Sequence, residues 1–418
     1  MPKQSKRQMR CINCGSLHTR KNGKRVISPV SFDRRAKRKI QRYECRACGR
    51  YFCKRREARK KYTHGFKMEL ARMHVEERLS YRVIVKRVKE RLGKAVSAKL
   101  ACEMVNEIAR MTKSSLEMRR EYEPRWSGYL TMDDKWIRIK GDRVLSLVAV
   151  DGQGDPLHSE VEGEQTQEVF DNFLLYLRDR LGYPFKAITT DFDQRWDKAV
   201  QRVLSPDIPH QKCLWHAVEI VKGLIEYPQT RRRYQRLAVQ ISQLKETLVD
   251  RKQSFYDTER HLMRLDQELT IVKQDYRQKD LLLERLRTLL FAQDRALSER
   301  LWKTFRRLYH KRYQLVIRFV ATHWKALLRH QDDPRIFKTT VRAENINKQL
   351  ERRYKTIEAF QSLDTAFHYQ NLYRNYLRLK PYTDCRGGRK KANGLSPLQL
   401  CGANIQSSDW IKNATRNL

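Results

Sequence analysis

Four cysteines stand in two C-x-x-C pairs, Cys11 with Cys14 and Cys45 with Cys48, each followed at once by a glycine, Gly15 or Gly49. Two thiolates from one such knuckle can occupy neighbouring corners of a tetrahedral Zn²⁺, and glycine takes the tight turn after the second ligand without steric cost. The pattern predicts one structural Zn²⁺ on Cys11, Cys14, Cys45 and Cys48; Cys53 and His18 are alternates for a ligand, and free or redox thiols are the competing reading. Three acidic residues farther along, Asp133, Asp191 and Glu344, form a candidate triad. Carboxylates on rigid elements hold the two Mg²⁺ ions of phosphoryl-transfer sites, roughly 3.5–4 Å apart, with Mn²⁺ able to stand in. Between the second and third, Cys213-Leu-Trp-His216 places a thiol and an imidazole on one face of a helix. That is half a zinc site, and with no second half nearby in sequence, packing or a substrate contact is the expected role.

The elements that must position the triad start at Tyr129. The stretch YLTMDDKWIRIKGDRVLSLVAV alternates apolar and polar residues, and breaks at Gly141-Asp142 and at Asp151 to Asp155 divide it into three antiparallel strands. Val169, Phe170, Phe173, Leu174, Leu177 and Leu181 have helical spacing, and Gly182 with Pro184 ends that helix. A short apolar strand, Phe185 to Thr190, then delivers Asp191 at its tip. Three antiparallel strands, a helix and a fourth strand tipped by an acid are the opening of a ribonuclease H-like α/β fold. The first acidic motif is Asp133-Asp134, and strand alternation lets only one of the two face the site.

Charge sets this stretch apart. The 418-residue chain carries 89 Lys and Arg against 48 Asp and Glu, a formal +41, yet residues 129–227 hold 17 acidic and 12 basic side chains. So basic a total points to a nucleic-acid partner. A locally acidic segment within it wants a neutralising cation, unless it only offsets the total. No apolar run approaches about 18 residues and the start, MPKQSKRQMR, has no apolar signal core, so no membrane partner is expected. Nine cysteines used as C-x-x-C pairs suit a reducing compartment, and a cytoplasmic protein is expected.

The flanks divide as follows. Residues 1–61 form the zinc ribbon, with 22 basic and 3 acidic side chains; Arg34, Arg35, Lys37, Arg38 and Lys39 cluster between the pairs as candidate DNA contacts, against the alternative of a solvated basic tail. Residues 62–123 read as three helices with caps at Ser80 and Ser97 and a break at Gly93, either a helix-turn-helix or a helical linker. The core's first part spans 124–227. Residues 228–334 are an all-helical insertion: from Gln229 to Asp333 there is no Gly or Pro, and a heptad seam runs from Ile241 to Leu290. That seam fits either a coiled-coil dimer or a chain folded back on itself. Residues 335–383 return to the core, where Thr339 and Thr340 cap a helix carrying Glu344 and then the basic Lys348, Arg352 and Arg353. Residues 384–418 read as an irregular, mobile basic tail.

The order Thr189-Thr190-Asp191, Cys213-x-x-His216, long helical insertion, Thr339-Thr340-x-x-x-Glu344-x-x-Asn347 resembles the DDE transposases of bacterial insertion sequences, in particular the Mutator-like branch. Met132 to Ile137 resembles that family's first-aspartate strand and Arg342 to Leu350 its glutamate helix. The resemblance, over about residues 129–380, implies that Asp133, Asp191 and Glu344 are the metal ligands, with Cys213 and His216 near the site. The implied activity is binding of inverted-repeat DNA ends, cleavage of phosphodiester bonds and joining of 3′-hydroxyls to target DNA. A homodimer or larger assembly working at the nucleoid of a prokaryotic cell is implied too. A structure-selective nuclease or resolvase, and a domesticated DNA-binding regulator, are the rivals.

Overall fold

The computed structural model describes residues 9–33, 37–53, 61–250, 255–357, 360 and 362–416. Its architecture is mixed α/β around a five-stranded sheet.

At the N-terminus β1 (Thr19–Ile27), β2 (Arg38–Cys45) and β3 (Tyr51–Cys53) pair antiparallel in that order. Three helices follow: α1 (His64–Val75), α2 (Tyr81–Leu92) and α3 (Ala98–Arg110). Thr63, Ser80 and Ser97 cap them by accepting from Phe66, Val83 and Leu100 N–H groups, and Gly93 ends α2 at φ 62°. Then comes α4 (Ser115–Tyr122).

The central sheet is built from β4 (Tyr129–Ile139), β5 (Asp142–Asp151), β6 (His158–Glu162), β7 (Ala187–Thr190) and β8 (His210–Lys212), in the order β6-β5-β4-β7-β8. β4, β5 and β6 are antiparallel neighbours, while β7 joins β4 and β8 joins β7 in parallel. A parallel partner needs a crossover. One is α5 (Gln167–Leu175), continued by a π-helical turn to Arg180 and ended at Gly182 with φ 59°; the other is α6 (Gln194–Val203). Both lie on one face of the sheet, where Phe170, Phe173, Leu174, Trp196 and Val200 pack on Met132, Leu145, Leu147 and Ile188. The opposite face is covered by α13 (Val341–Ile357), whose Ala343 meets Val148 and Val150. Sandwiched this way, β5 is buried from Val144 to Asp151, which is why it reads as an unbroken apolar run.

Between β8 and α13 the chain makes α7 (Leu214–Leu224), α8 (Tyr227–Asp250), α9 (Phe255–Leu290), α10 (Arg295–Tyr309), α11 (Gln314–Leu327) and the short α12 (Arg329–Asp332). Of the two options for the heptad seam, the chain takes the folded-back one. Tyr227 bonds Asp280 and Arg233 pairs with Glu268, so α8 and α9 run antiparallel. Helices α7, α9, α10 and α11 contribute Val218, Leu282, Leu286, Phe305 and Val320 to a separate hydrophobic core.

The helices of 62–123 share a hydrophobic core with α14 (Leu363–Leu379), Ile137 and Ile139 of β4, and residues near the C-terminus. One expectation is corrected here. Residues 384–416, expected as a mobile tail, are strapped across the molecule. Leu398, Trp410, Ile411 and Ala414 are buried in that shared core, and Arg72–Asp409 and Arg416–Glu117 ion pairs flank them. Sparse apolar anchors among polar residues give no periodicity to read.

Candidate active site

Alternation along β4 sends Asp133 and Asp134 to opposite faces. Asp133 faces α13, where Asn347 Nδ2 donates to its Oδ2 at 2.7 Å. Asp134 faces α5 and α6, taking hydrogen bonds from Trp196 Nε1 (3.0 Å) and Gln165 Nε2 (3.4 Å). Burial pushes the Asp133 carboxyl up to about 7; the Asn347 bond opposes this, and the charges of Asp134, Glu344 and Asp191 add to it. Asp134 rises to about 6, by burial and then by Asp191.

The parallel register pairs Thr131 with Thr189, so two residues on, Asp191 at the tip of β7 stands level with Asp133. Burial raises the Asp191 carboxyl, whose Oδ1 accepts from the Asp193 N–H at 3.1 Å. Lys212, at the end of β8, holds this corner. It is buried, and its Nζ donates to the Asp191 carbonyl (2.7 Å) and pairs with Asp197 (2.7 Å). Glu344, in the first turn of α13, accepts from Thr340 Oγ1 at 2.9 Å and meets Lys348 Nζ at 3.4 Å.

Cys213 caps the start of α7 fully buried, with its Sγ accepting from the Thr340 N–H at 3.4 Å. His216 Nδ1 lies 3.5 Å from Thr340 Oγ1. Despite burial, hydrogen bonds from His216 and Thr340 lower the Cys213 thiol, and the partnered His216 imidazole rises to about 9. Cys213, His216 and Glu344 bring their donor atoms within 4.8 Å of one another. Asp133 and Asp191 feel the charge of this corner but are not members of that tight group.

The carboxylates fit a hard divalent cation. Asp133 and Asp134 are held in burial beside like charges, a state that a bound Mg²⁺ would relieve, while Asp191, raised by burial, already has the cations His216 and Lys212 beside it; carboxylate oxygens are the donors Mg²⁺ takes. In the N-terminal region the four cysteines do converge. Cys14 and Cys45 Sγ atoms are 3.6 Å apart and those of Cys11 and Cys48 3.9 Å, against about 3.8 Å for thiolates on one tetrahedral Zn²⁺. Gly15 (φ 75°) and Gly49 (φ 68°) make the turns, donating to Cys11 and Cys45 carbonyls. The set is compatible with structural zinc, and Cys53 and His18 lie outside it.

Of the basic candidates, Arg34 and Arg35 lie outside the described residues. Lys37, Lys39, Lys348 and Arg352 are exposed, and Arg38 opens β2. Arg353 is a correction: it is buried, donating to the His74 carbonyl, because its turn of α13 packs on α1 rather than facing solvent.

Sequence reading gave no role to Lys212 or Asn347. Asn347 follows Glu344 by three residues and so shares its helix face, a signal that was available; Lys212 had only its place directly before Cys213. It also missed a buried relay, Ser115 Oγ to His158 Nδ1 (2.9 Å) and His158 Nε2 to Glu160 (2.8 Å). This looks like a hydrolytic triad, but Ser115 is 3% exposed and no substrate reaches it. No family model matches the chain, and no curated protein matches it. Among the described residues, no helix is long and apolar enough to cross a membrane.

Proposed function

We propose that the chain is a DNA transposase of the DDE type, with a ribonuclease H-like core interrupted by the helical insertion α8–α12. One observation carries the reading: Asp133 on β4 lies within electrostatic reach of Asp191, just past the end of β7, and of Glu344 on α13, at a sheet of three antiparallel and two parallel strands. The rigid strand and helix mountings are what phosphoryl transfer needs, since the chemistry depends on placement. Asp133, rather than Asp134, is the first ligand, because Asp133 shares the α13 face with Asn347 and Glu344.

Divalent cations held by Asp133, Asp191 and Glu344 would supply Lewis acidity at the attacking and leaving oxygens of a phosphodiester. The chain's own groups prepare the corner. Asn347 fixes the Asp133 carboxylate, and Lys212 fixes the turn that presents Asp191. Exposed Lys348 beside Glu344 offers a cation to the phosphate backbone. The basic ribbon with Lys37 and Lys39, and the helices α1–α3, would hold the inverted-repeat ends. Two or more copies would be needed to bring two ends together.

The deciding experiment incubates the full chain with Mg²⁺, a plasmid and a labelled duplex carrying an end of the adjacent element, beside Asp191→Asn. Strand joining by the wild type alone supports the reading. Cutting without joining makes the chain a nuclease, and tight binding with neither reaction makes it a regulator.

A further inference from the structure

The sequence supplies half of a metal site at Cys213 and His216, and the fold brings up the rest. We propose that Cys213, His216 and Glu344 bind a second Zn²⁺, distinct from that of the four-cysteine cluster. Their donor atoms, one sulfur, one ring nitrogen and one carboxylate oxygen, lie within 4.8 Å of one another. With Zn–S about 2.3 Å and Zn–N or Zn–O about 2.0–2.1 Å, tetrahedral donors sit roughly 3.3–3.6 Å apart, so the three have little more than an ångström to close.

The surroundings are built for ligands rather than for apolar packing. Cys213 opens α7 and Glu344 sits in the first turn of α13, and the two helix starts are clamped together by the Leu214 N–H donating to the Lys338 carbonyl at 2.9 Å. Thr340 then touches all three side chains: its N–H donates to Cys213 Sγ (3.4 Å), its hydroxyl donates to Glu344 Oε1 (2.9 Å) and lies 3.5 Å from His216 Nδ1. Outer hydrogen bonds of this kind orient ligands around a metal. A thiolate, an imidazole and a carboxylate form a borderline-soft set, which selects Zn²⁺ over Mg²⁺. Three protein ligands leave the fourth position open, unlike the closed set of four cysteines.

The zinc site itself assumes nothing about DNA. Its consequence does rest on the transposase reading: Glu344 belongs to both sites, so zinc at Cys213 and His216 would draw Glu344 away from Asp133 and Asp191 and oppose activation by Mg²⁺.

The test counts zinc. The full chain is equilibrated with Zn²⁺, desalted, and its metal measured by inductively coupled plasma mass spectrometry. Two equivalents are expected for the wild type and one for Cys213→Ser and for His216→Gln, with unchanged circular dichroism. A wild type holding one, or variants still holding two, overturns the site. If Cys213→Ser fails to fold, Glu344→Gln carries the test: competition with a chromophoric chelator should show its second zinc bound at least about tenfold more weakly, and equal affinity overturns the proposal. The two readings fail separately. One zinc with Mg²⁺-dependent strand joining intact removes only the second zinc, and two zincs without any DNA chemistry removes only the transposase.

Discussion

The cysteine cluster and the carboxylate corner both gather candidate metal ligands, yet they stand in opposite relations to the hydrophobic core. Among the described residues, the apolar cluster around the cysteines is Cys11, Cys45 and Phe52, with Met9 and Tyr43 against them. A region that small cannot stabilise itself by burial, so a zinc held by the four cysteines would take the place of the core. The carboxylates sit on a sheet covered by helices on both faces, and there the core supports charges that burial penalises. Zinc on the first region would hold the fold, while the carboxylates of the second carry a burial cost.

The largest expected effect follows for the cysteines. Cys45→Ser should release the zinc and unfold residues 9–53 while the central sheet stays intact, because structural zinc contributes on the order of 10 kcal/mol to domains of this kind. Limited proteolysis and zinc content check this; an N-terminal region that stays protected without zinc would break the contrast. At the carboxylates the sign reverses. On the transposase reading proposed above, Asp133→Asn should lower strand joining by roughly a thousandfold, about 4 kcal/mol of barrier, yet leave the metal-free chain as stable or more so. A thermal melt without Mg²⁺ reads the second half, and a lower midpoint for the variant would count against a strained carboxylate.

How much of this was legible depends on where each partner lies in the sequence. The four-cysteine cluster was readable because C-x-x-C-G is a local pattern, and the glycines adopt the turn conformation it calls for. The strand positions of Asp133 and Asp191 were readable because strand alternation and a strand tip place them without knowledge of the rest. What escaped depends on distant partners. Arg353 looked like a DNA contact until α1, 279 positions away at His74, covered it. Buried Arg378 meets Asp155 across 223 positions. The seam of α8 and α9 left open whether its partner was another copy or the same chain, since both bury the same stripe. Glu344, which the fold brings beside Cys213 and His216, lies beyond the whole insertion from them.

Arg378 and Asp155 sharpen the comparison, because here a buried carboxylate is neutralised by the protein itself. Both side chains are 0% exposed, with two hydrogen bonds of 2.7 and 2.9 Å between them, and Trp126 Nε1 donates to Asp155 as well. Arg378→Met strands the carboxylate and should cost about 3–5 kcal/mol in chemical denaturation, where Asp133→Asn costs nothing. A third variety of buried polarity is neutral. His74 stacks on Tyr81, its Nδ1 bonds the Leu79 carbonyl, and burial lowers its imidazole to about 4. Its folded value lies below the unfolded one of about 6.5, so the stability it represents is complete above that pH and is lost as pH falls toward 4, by at most about 3 kcal/mol. His74→Gln should flatten the stability profile between those two values; an unchanged slope would mean other groups set it.

The smallest expected effect separates the two regions by strengthening one of them. β4 and β5 are joined by Lys140 and Gly141 alone, with Ile139 paired to Asp142, and both turn residues have positive φ, 51° and 100°. A two-residue turn of that kind matches the twist of the strands but disfavours a lysine, whose Cβ crowds the backbone in the left-handed region. Asparagine tolerates it. Lys140→Asn should therefore stabilise the hairpin that carries Asp133 by about 0.5–1 kcal/mol. The turn lies in the central sheet, remote in sequence from the cysteines, so zinc release on chelation should not change. A gain in sheet stability with unaltered zinc release means the two regions unfold as separate units, the cysteines answering to metal and the sheet to its backbone and core. A shift of both together would show that the shared helices α1–α4 transmit stability between them, and the contrast would then describe local chemistry only.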